Sequence, residues 1–567
     1  MAYLIQIIRE KSDLIVYILS VVTLTKKQNI VQSFALNLFL IASALVTPFY
    51  SFESINLPKF VVLIFFGCTA FIYISLNLKI TLLTLPKISK VLIFGFIATY
   101  LFVFIASDTP WQQQLYGREN RRNGILTYFC LILIYIIFHS LPYAKYLKNF
   151  INRIALAGIF VISYSILQLL GADPFKWDSV NLHFFSTLGN PNFLSAYIAI
   201  VAIPILSLIH NSLKSFPSLL RNFSIFFTLL IFLYLIYRTF SYQGFIAIFA
   251  SMSIFGLIFL YKIKKRIYLI VYFLSITIGA SIALAGTLNM GPLARVLYKG
   301  SVTSRGDFFR SALNSGNSNL LNGTGFDSFG DYYLFYRDTK AGERIGGEYT
   351  DSAHNYFLDV YATQGLIGLT LYVLLTLTTL VGFVRLLKLQ ESMTPTAVLF
   401  SSWVALQVQS LVSPTNFLFS ILMFSISGFV IGSNIMSEGS SKPKINYLVI
   451  SLGFIFTLMI SASAISRENQ ILTSNQKSSP EEYINALEVF PKSTVGYARA
   501  INLFAQAGLE DKALDISRKA ISFNHRSPGA HLIIFTSPLS SKEEKLTAYK
   551  SLLELDPVNP NIKGLQP

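Results

Sequence analysis

The sequence predicts an all-α protein: a polytopic transmembrane helical bundle with a large outer loop and a small C-terminal helical-repeat unit. Three observations predict it. Of 567 residues 53% are hydrophobic and only 13% charged, and the mean hydropathy is +0.56. Apolar runs long enough to cross a bilayer recur from about residue 30 to residue 465. Beyond that point the chain takes the composition of a soluble helical unit.

Residues 1–30 read as a cytoplasmic or interfacial segment. Its apolar stretch is interrupted by "REKSD" (Arg9–Asp13) and has no small-residue cleavage site, so no cleavable signal peptide is expected. Within the membrane unit, 31–465, spans are expected near 31–50, 58–77, 89–106, 122–140, 152–170, 190–209, 222–239, 243–261, 267–286, 357–384, 396–412, 416–434 and 446–465. Basic loops set the orientation. Lys79/Lys87/Lys90, Lys145/Lys148/Arg153, Lys214/Arg221, Lys262, Arg385/Lys388 and Lys442/Lys444 fall on alternate loops, which places them in the cytoplasm and the C terminus outside.

The formal charge of +17 is what such loops give a large membrane protein, so no nucleic-acid partner is expected. Cys68 and Cys130 both sit in apolar runs, which argues against a disulfide framework or a cysteine metal site.

The outward loops carry the exceptions. "SDTPWQQQLYGRENRRNGIL" brings Arg118, Arg121 and Arg122, and the large loop, about 287–356, holds Arg305 and Arg310. Basic groups there either snorkel at headgroup level or meet an anionic ligand. "GNPN" places Asn190 and Asn192 at a span start, where a Gly-Asn-Pro turn with an Asn cap also accounts for them. "RTFSYQG" puts Arg238 and Gln243 in a tight outward turn, and "TDSAHNYF" sets Asp351, His354 and Asn355 at the lip of the next span. Walker, HExxH, GxSxG and Cys/His metal spacings are all absent from the sequence. No cofactor and no metal are expected.

The C-terminal unit, 478–567, repeats small and apolar residues with helical periodicity. Ala486 and Ala520 are 34 residues apart, and "AGLEDKAL" marks the turn, which resembles tetratricopeptide repeats lacking their usual tryptophan. So short a unit is expected to pack on itself or on the membrane domain, and a protein partner could use it.

Four features together resemble the O-antigen ligase and polymerase superfamily of bacterial membrane glycosyltransferases. They are the Gly-Asn-Pro-Asn span start, the Arg305…Gly323-x-Gly325…Phe loop, His354-Asn355 before "GLIGL", and the large loop between late spans. The resemblance covers roughly residues 31–435. It implies a multi-pass protein of the bacterial cytoplasmic membrane, acting on a polyprenyl-diphosphate-linked glycan donor without a metal. The acceptor hydroxyl would belong to a glycan, a lipid or a protein. Arg305 and His354 match family residues, whereas Arg118 and Arg122 are looser matches. Gln243 stands where relatives often have arginine, so that part of an anion site depends on Arg238.

The residue chemistry is consistent with this. Arginine offers a fixed fork of donors to diphosphate oxygens, and fixed positive charge stabilises a leaving diphosphate. An imidazole near its unperturbed pKa of about 6.5 takes a hydroxyl proton at neutral pH. Asp351 either orients the ring or caps the helix. Ligation, repeat-unit polymerisation and protein O-glycosylation all fit, and a lipid or polysaccharide exporter is the non-enzyme alternative.

Overall fold

The computed structural model describes residues 30–48, 53–78, 85–175, 177, 184–297, 300–345, 349–389, 393–414, 416–434, 447–476 and 479–565. The N-terminal interfacial segment lies outside the described residues apart from Ile30, as do Lys79, Lys442 and Lys444. Every regular element described is a helix.

In chain order the first are α1 (Ile30–Ala44), α2 (Asn56–Leu76), α3 (Lys87–Ala106), α4 (Trp111–Tyr116), α5 (Ile125–His139) and α6 (Tyr143–Leu169). Then come α7 (Pro191–Ser212), α8 (Ser218–Arg238), α9 (Gln243–Lys262) and α10 (Arg266–Thr287). The large loop carries α11 (Ala294–Leu297), α12 (Gly300–Ser318), α13 (Phe329–Tyr336) and α14 (Thr339–Ile345). The bundle closes with α15 (Tyr356–Leu387), α16 (Met393–Ser410), α17 (Phe417–Ile431) and α18 (Tyr447–Gln476).

Each expected span therefore contains a helix. Nine described helices, α2, α3, α6–α10, α15 and α18, are long and apolar enough to cross a membrane, whereas α1, α5 and α17 are shorter apolar helices. Composition sorts them into layers. Helix α17, "FLFSILMFSISGFVI", is apolar on every side with serines small enough for close packing, and it is almost wholly buried. Helix α10 is the opposite case: none of its apolar window is buried within the protein, so its surface is left for lipid.

Alternation of the spans gathers the described residues of the segments 45–48, 53–55, 107–124, 170–175, 184–190, 239–242, 288–297, 300–345, 349–355 and 411–414 at one end, where they bond one another and the helix ends beside them. Thr187 Oγ1 donates to the Ser43 carbonyl at 2.6 Å, and Asn355 Nδ2 to the Leu411 carbonyl at 3.0 Å. The basic loops fall at the other end among the described residues, where Lys262 donates to the Thr394 hydroxyl at 2.5 Å.

The span expected at 357–384 falls within α15, one of the nine candidate spans, but that helix is not continuous. Its backbone breaks at Gly365 (φ 69°, ψ −171°), because a strip of the large loop inserts there: Leu366 N–H donates to the Leu320 carbonyl at 2.7 Å and Gly325 N–H to the Thr363 carbonyl at 3.0 Å. A Cβ at residue 365 would lie 2.4 Å from the Leu321 carbonyl oxygen, so only glycine fits. The first two turns of α15 thus belong with the loop. Phe326, fully buried, plugs the loop into the bundle against Tyr100 and Tyr128, at centroid distances of 5.5 and 5.3 Å.

Past α18 follow α19 (Pro480–Glu488), α20 (Thr494–Gln506), α21 (Glu510–Phe523), α22 (Pro528–Thr536), α23 (Lys542–Leu555) and α24 (Pro560–Lys563). These helices dock on the same end as the large loop. Phe490 packs on Trp111 and Tyr116 of α4, and Arg526 lies over the Tyr332 ring of α13 at 4.0 Å. Arg337 binds Asp556 with both carboxylate oxygens at 2.9 Å, the two side chains 0% and 1% exposed.

Removing one partner of so buried a pair strands the other charge. Asp556→Ala is expected to cost ~3–5 kcal/mol, read as faster proteolysis between α18 and α19, and Arg337→Met with Asp556→Leu should recover most of it. Unchanged cleavage in Asp556→Ala would show that this pair does not hold the C-terminal helices in place.

Candidate functional site

The site is built around the short loop "GRENRRNG", Gly117–Gly124. Its base is pinched by the two glycines: a Cβ at Gly124 would lie 2.3 Å from the Gly117 nitrogen, and Gly117 itself has φ 73°. The loop displays its charged side chains to four different elements. Asp327, directly after the Phe326 plug, accepts the Arg118 and Asn123 backbone N–H groups at 2.7 and 3.2 Å. Arg118 pairs with Asp331 of α13 at 2.9 Å. Arg122 donates to Glu53 through Nε at 2.8 Å and Nη2 at 2.5 Å, with Glu468 of α18 at 4.0 Å. Glu119 receives Arg467 of α18 at 2.5 Å and faces Arg499 of α20 at 3.7 Å.

Arg121 is the centre. It lies 3.2 Å from Asp327, 3.0 Å from Asp351 and 4.0 Å from Asp359. Burial opposes charge on Arg118, Arg121 and Arg122, but the facing carboxylates more than offset it and raise their proton affinity above the usual arginine value. Their charge is already met inside the protein.

Arg305 differs. It projects from α12 half-buried, with no hydrogen bond or ion pair to a described residue, and burial pulls its proton affinity down. Among the six arginines singled out in the outer segments, Arg305 is the one with neither a hydrogen bond nor an ion pair to a described residue. Arg310 is paired with Asp307 and, at 2.6 Å, with Asp338. Arg238 folds back on its own helix to the Tyr234 hydroxyl at 2.9 Å.

His354 stands beside Arg305. Its ring stacks on Phe308, one turn of α12 from Arg305, at a centroid distance of 5.4 Å and 27°, and no described residue hydrogen-bonds either ring nitrogen. Its backbone is left-handed, φ 52°, a conformation that a non-glycine residue keeps only when its surroundings impose it. Asn120, Arg122 and Asp327 share this feature, at φ 64°, 55° and 52°. The unperturbed pKa expected from sequence needs revision: burial first, then the positive charge of Arg305, push His354 down to about 4, with Asp351 pulling the other way and Arg121 adding a smaller push. The ring is neutral at neutral pH.

Other residues settle into local roles. Asn355, not Asp351, caps α15, accepting the Leu358 N–H at 3.1 Å. Asp351 is spent on Arg121 and shares no hydrogen bond with His354. Asn190 caps α7 by accepting the Asn192 N–H at 2.8 Å. Gln243 is buried and donates to the Asn192 carbonyl, which ties the tight turn to the α7 start. No hydrogen bond or ion pair joins Asn190, Asn192, Gln243 or Arg238 to the His354 cluster among the described residues.

Sequence reasoning passed over the carboxylates that organise the centre: Glu119, Asp327, Asp331, Asp359 and Glu468. The available signal was that the arginine-bearing outer segments carry acids of their own. Among the described residues no group of His, Cys, Asp and Glu is arranged to hold a metal ion.

The depressed His354 pKa makes a signed prediction. The neutral ring suits the fold above the unfolded value of about 6.5, and the stability it leaves intact there is lost as pH falls through about 4. Thermal unfolding followed from pH 7 to 4 should therefore show wild type losing stability faster than His354→Gln. Parallel curves would mean that the ring titrates normally in the folded protein.

Residues 227–373 match the family model described as O-Antigen ligase. The match runs from α8 into α15, so it contains Arg238, Gln243, Arg305, Arg310, Asp351, His354 and Asn355 and leaves out the Gly117–Gly124 loop and the C-terminal helices. No curated protein matches the chain. Across the segment that carries Arg305 and His354, this multi-pass membrane protein is similar to O-antigen ligases.

Proposed function

We propose that the protein is a membrane glycosyltransferase of the O-antigen ligase type. It moves a glycan from a polyprenyl-diphosphate carrier to an acceptor hydroxyl at the outer face of the bacterial cytoplasmic membrane, without a metal. The observation that carries this reading is the pairing of an unspent arginine, Arg305, with a neutral histidine, His354, at the loop-bearing end of the bundle and inside the matched segment.

The chemistry follows from that pair. The donor's lipid tail stays in the bilayer, so its diphosphate sits at the helix ends, within reach of Arg305. The acceptor oxygen attacks the anomeric carbon, the bond from that carbon to the diphosphate oxygen breaks, and His354 takes the hydroxyl proton. Negative charge grows on the leaving diphosphate, and the Arg305 fork stabilises it more in the transition state than in the ground state. Burial first, and then the positive charge of Arg305, hold His354 as a weak base. A bound diphosphate offsets that charge and raises the ring's basicity, so the base strengthens when donor is present. Arg118 and Arg122, matched by carboxylates, serve as framework in this mechanism.

The C-terminal helices, seated against α4 and α13, border the site and suit a bulky acceptor, lipid or protein, better than another repeat unit. Mass spectrometry of envelope glycans and glycoproteins from a deletion strain and its parent tests the assignment: loss of one class of glycan-modified acceptor supports transfer, and identical profiles refute it. Within the site, Arg305→Ala should impair transfer far more than Arg310→Ala, because Arg310 is already paired. Arg305→Lys should also be poor, since a point charge cannot reproduce the fork. Wild-type rates for the lysine variant in a purified assay would remove the bidentate contact from the mechanism.

A further inference from the structure

The left-handed backbone of His354 has an identifiable holder. Ala353 N–H, fully buried, donates to Asp359 Oδ1 at 2.6 Å, a short charge-assisted bond. On the other side of the histidine, Asn355 is fixed twice, by the Leu358 N–H at 3.1 Å and the Leu411 carbonyl at 3.0 Å. Residues 353 and 355 are thus both pinned, and His354 is left at the apex between them. Behind Asp359 stands Arg121, its Nη2 4.0 Å from Asp359 Oδ2 while its Nη1 holds Asp351 at 3.0 Å. One guanidinium therefore grips the chain on both sides of the histidine.

We propose that Asp359, backed by Arg121, is the positioning residue for His354. The proposal rests on the transfer reading given above. Asp359 is buried and bonds a backbone N–H next to the histidine. It acts through the shape of the 353–355 turn, which presents a ring nitrogen to the acceptor hydroxyl and keeps the ring stacked on Phe308. The sequence offers no standard sign of this, because a capping-box acid would stand at residue 358, where the chain has leucine.

The test uses full-length protein in lipid nanodiscs as wild type, Asp359→Ala and Asp359→Asn. Transfer is measured from lipid-linked oligosaccharide extracted from membranes. Separately, the three proteins are treated with diethyl pyrocarbonate, and His354 modification is followed by peptide mass spectrometry. Asp359→Ala is expected to lower kcat by ~10²-fold, the scale of an ångström misplacement, with donor KM unchanged. Asp359→Asn keeps an oxygen for the Ala353 N–H and should recover most of the loss. His354 should react faster in the alanine variant than in wild type or the asparagine variant, since its ring is no longer held on Phe308.

Wild-type kcat in Asp359→Ala, or an asparagine variant as inactive as alanine, overturns the proposal. If the alanine variant does not accumulate, Asp359→Asn decides alone: near-wild-type kcat upholds the positioning role and loss refutes it. Absence of transfer in wild type would sink the functional reading instead. The order of His354 reactivities would still uphold or overturn the clamp.

Discussion

The ion-pair network centred on Arg121 is the constraint on which the rest of the site depends. Burying a charge is costly unless an opposite charge and hydrogen bonds meet it. The Gly117–Gly124 loop meets that condition several times over, with carboxylates from the first outer segment, the large loop and α15 facing its arginines, while Glu119 receives an arginine of α18. Removal of any one partner leaves an uncompensated charge, so these elements keep one arrangement together. The pinch at Gly117 and Gly124 makes such convergence sterically feasible.

That network divides the arginines into two kinds. Those facing carboxylates have their charge already neutralised locally. Arg305 lies on α12, outside the network, and its field reaches His354. A rigid charged frame around an unmatched cation and a neutral imidazole suits the recognition of a polyanion followed by proton transfer, because little needs to reorganise when charge develops. The left-handed residues around the centre mark where the frame imposes its geometry on the backbone.

The spans were legible in the sequence because lipid exposure demands uninterrupted apolar runs, and α10, with no burial against the protein, is the clearest instance. The break at Gly365 was not legible, since a glycine in an apolar helix gives no sign that a distant loop strip will insert beside it. Arg305 and His354 drew attention through motif order, and the structure stacks His354 on Phe308, one helical turn from Arg305. The fate of Arg118 and Arg122 was hidden, because a loop's charge count does not say which acids fold onto it: Glu53, the lone carboxylate of its outer segment, turns out to be the partner of Arg122. Asp351 illustrates the same gap. Its place before a helix suggests a cap, but Asn355 holds that position and Arg121 takes the carboxylate.

The most direct measurement separates donor affinity from turnover on purified wild type, His354→Ala and Arg305→Ala in nanodiscs. With His354 as the base and Arg305 on the diphosphate, His354→Ala binds donor as wild type does while turnover falls by ~10²–10⁴-fold, the usual contribution of general-base catalysis. Arg305→Ala loses donor affinity as well. Normal turnover by His354→Ala, or loss of donor binding in that variant with binding retained in Arg305→Ala, would contradict the assignment.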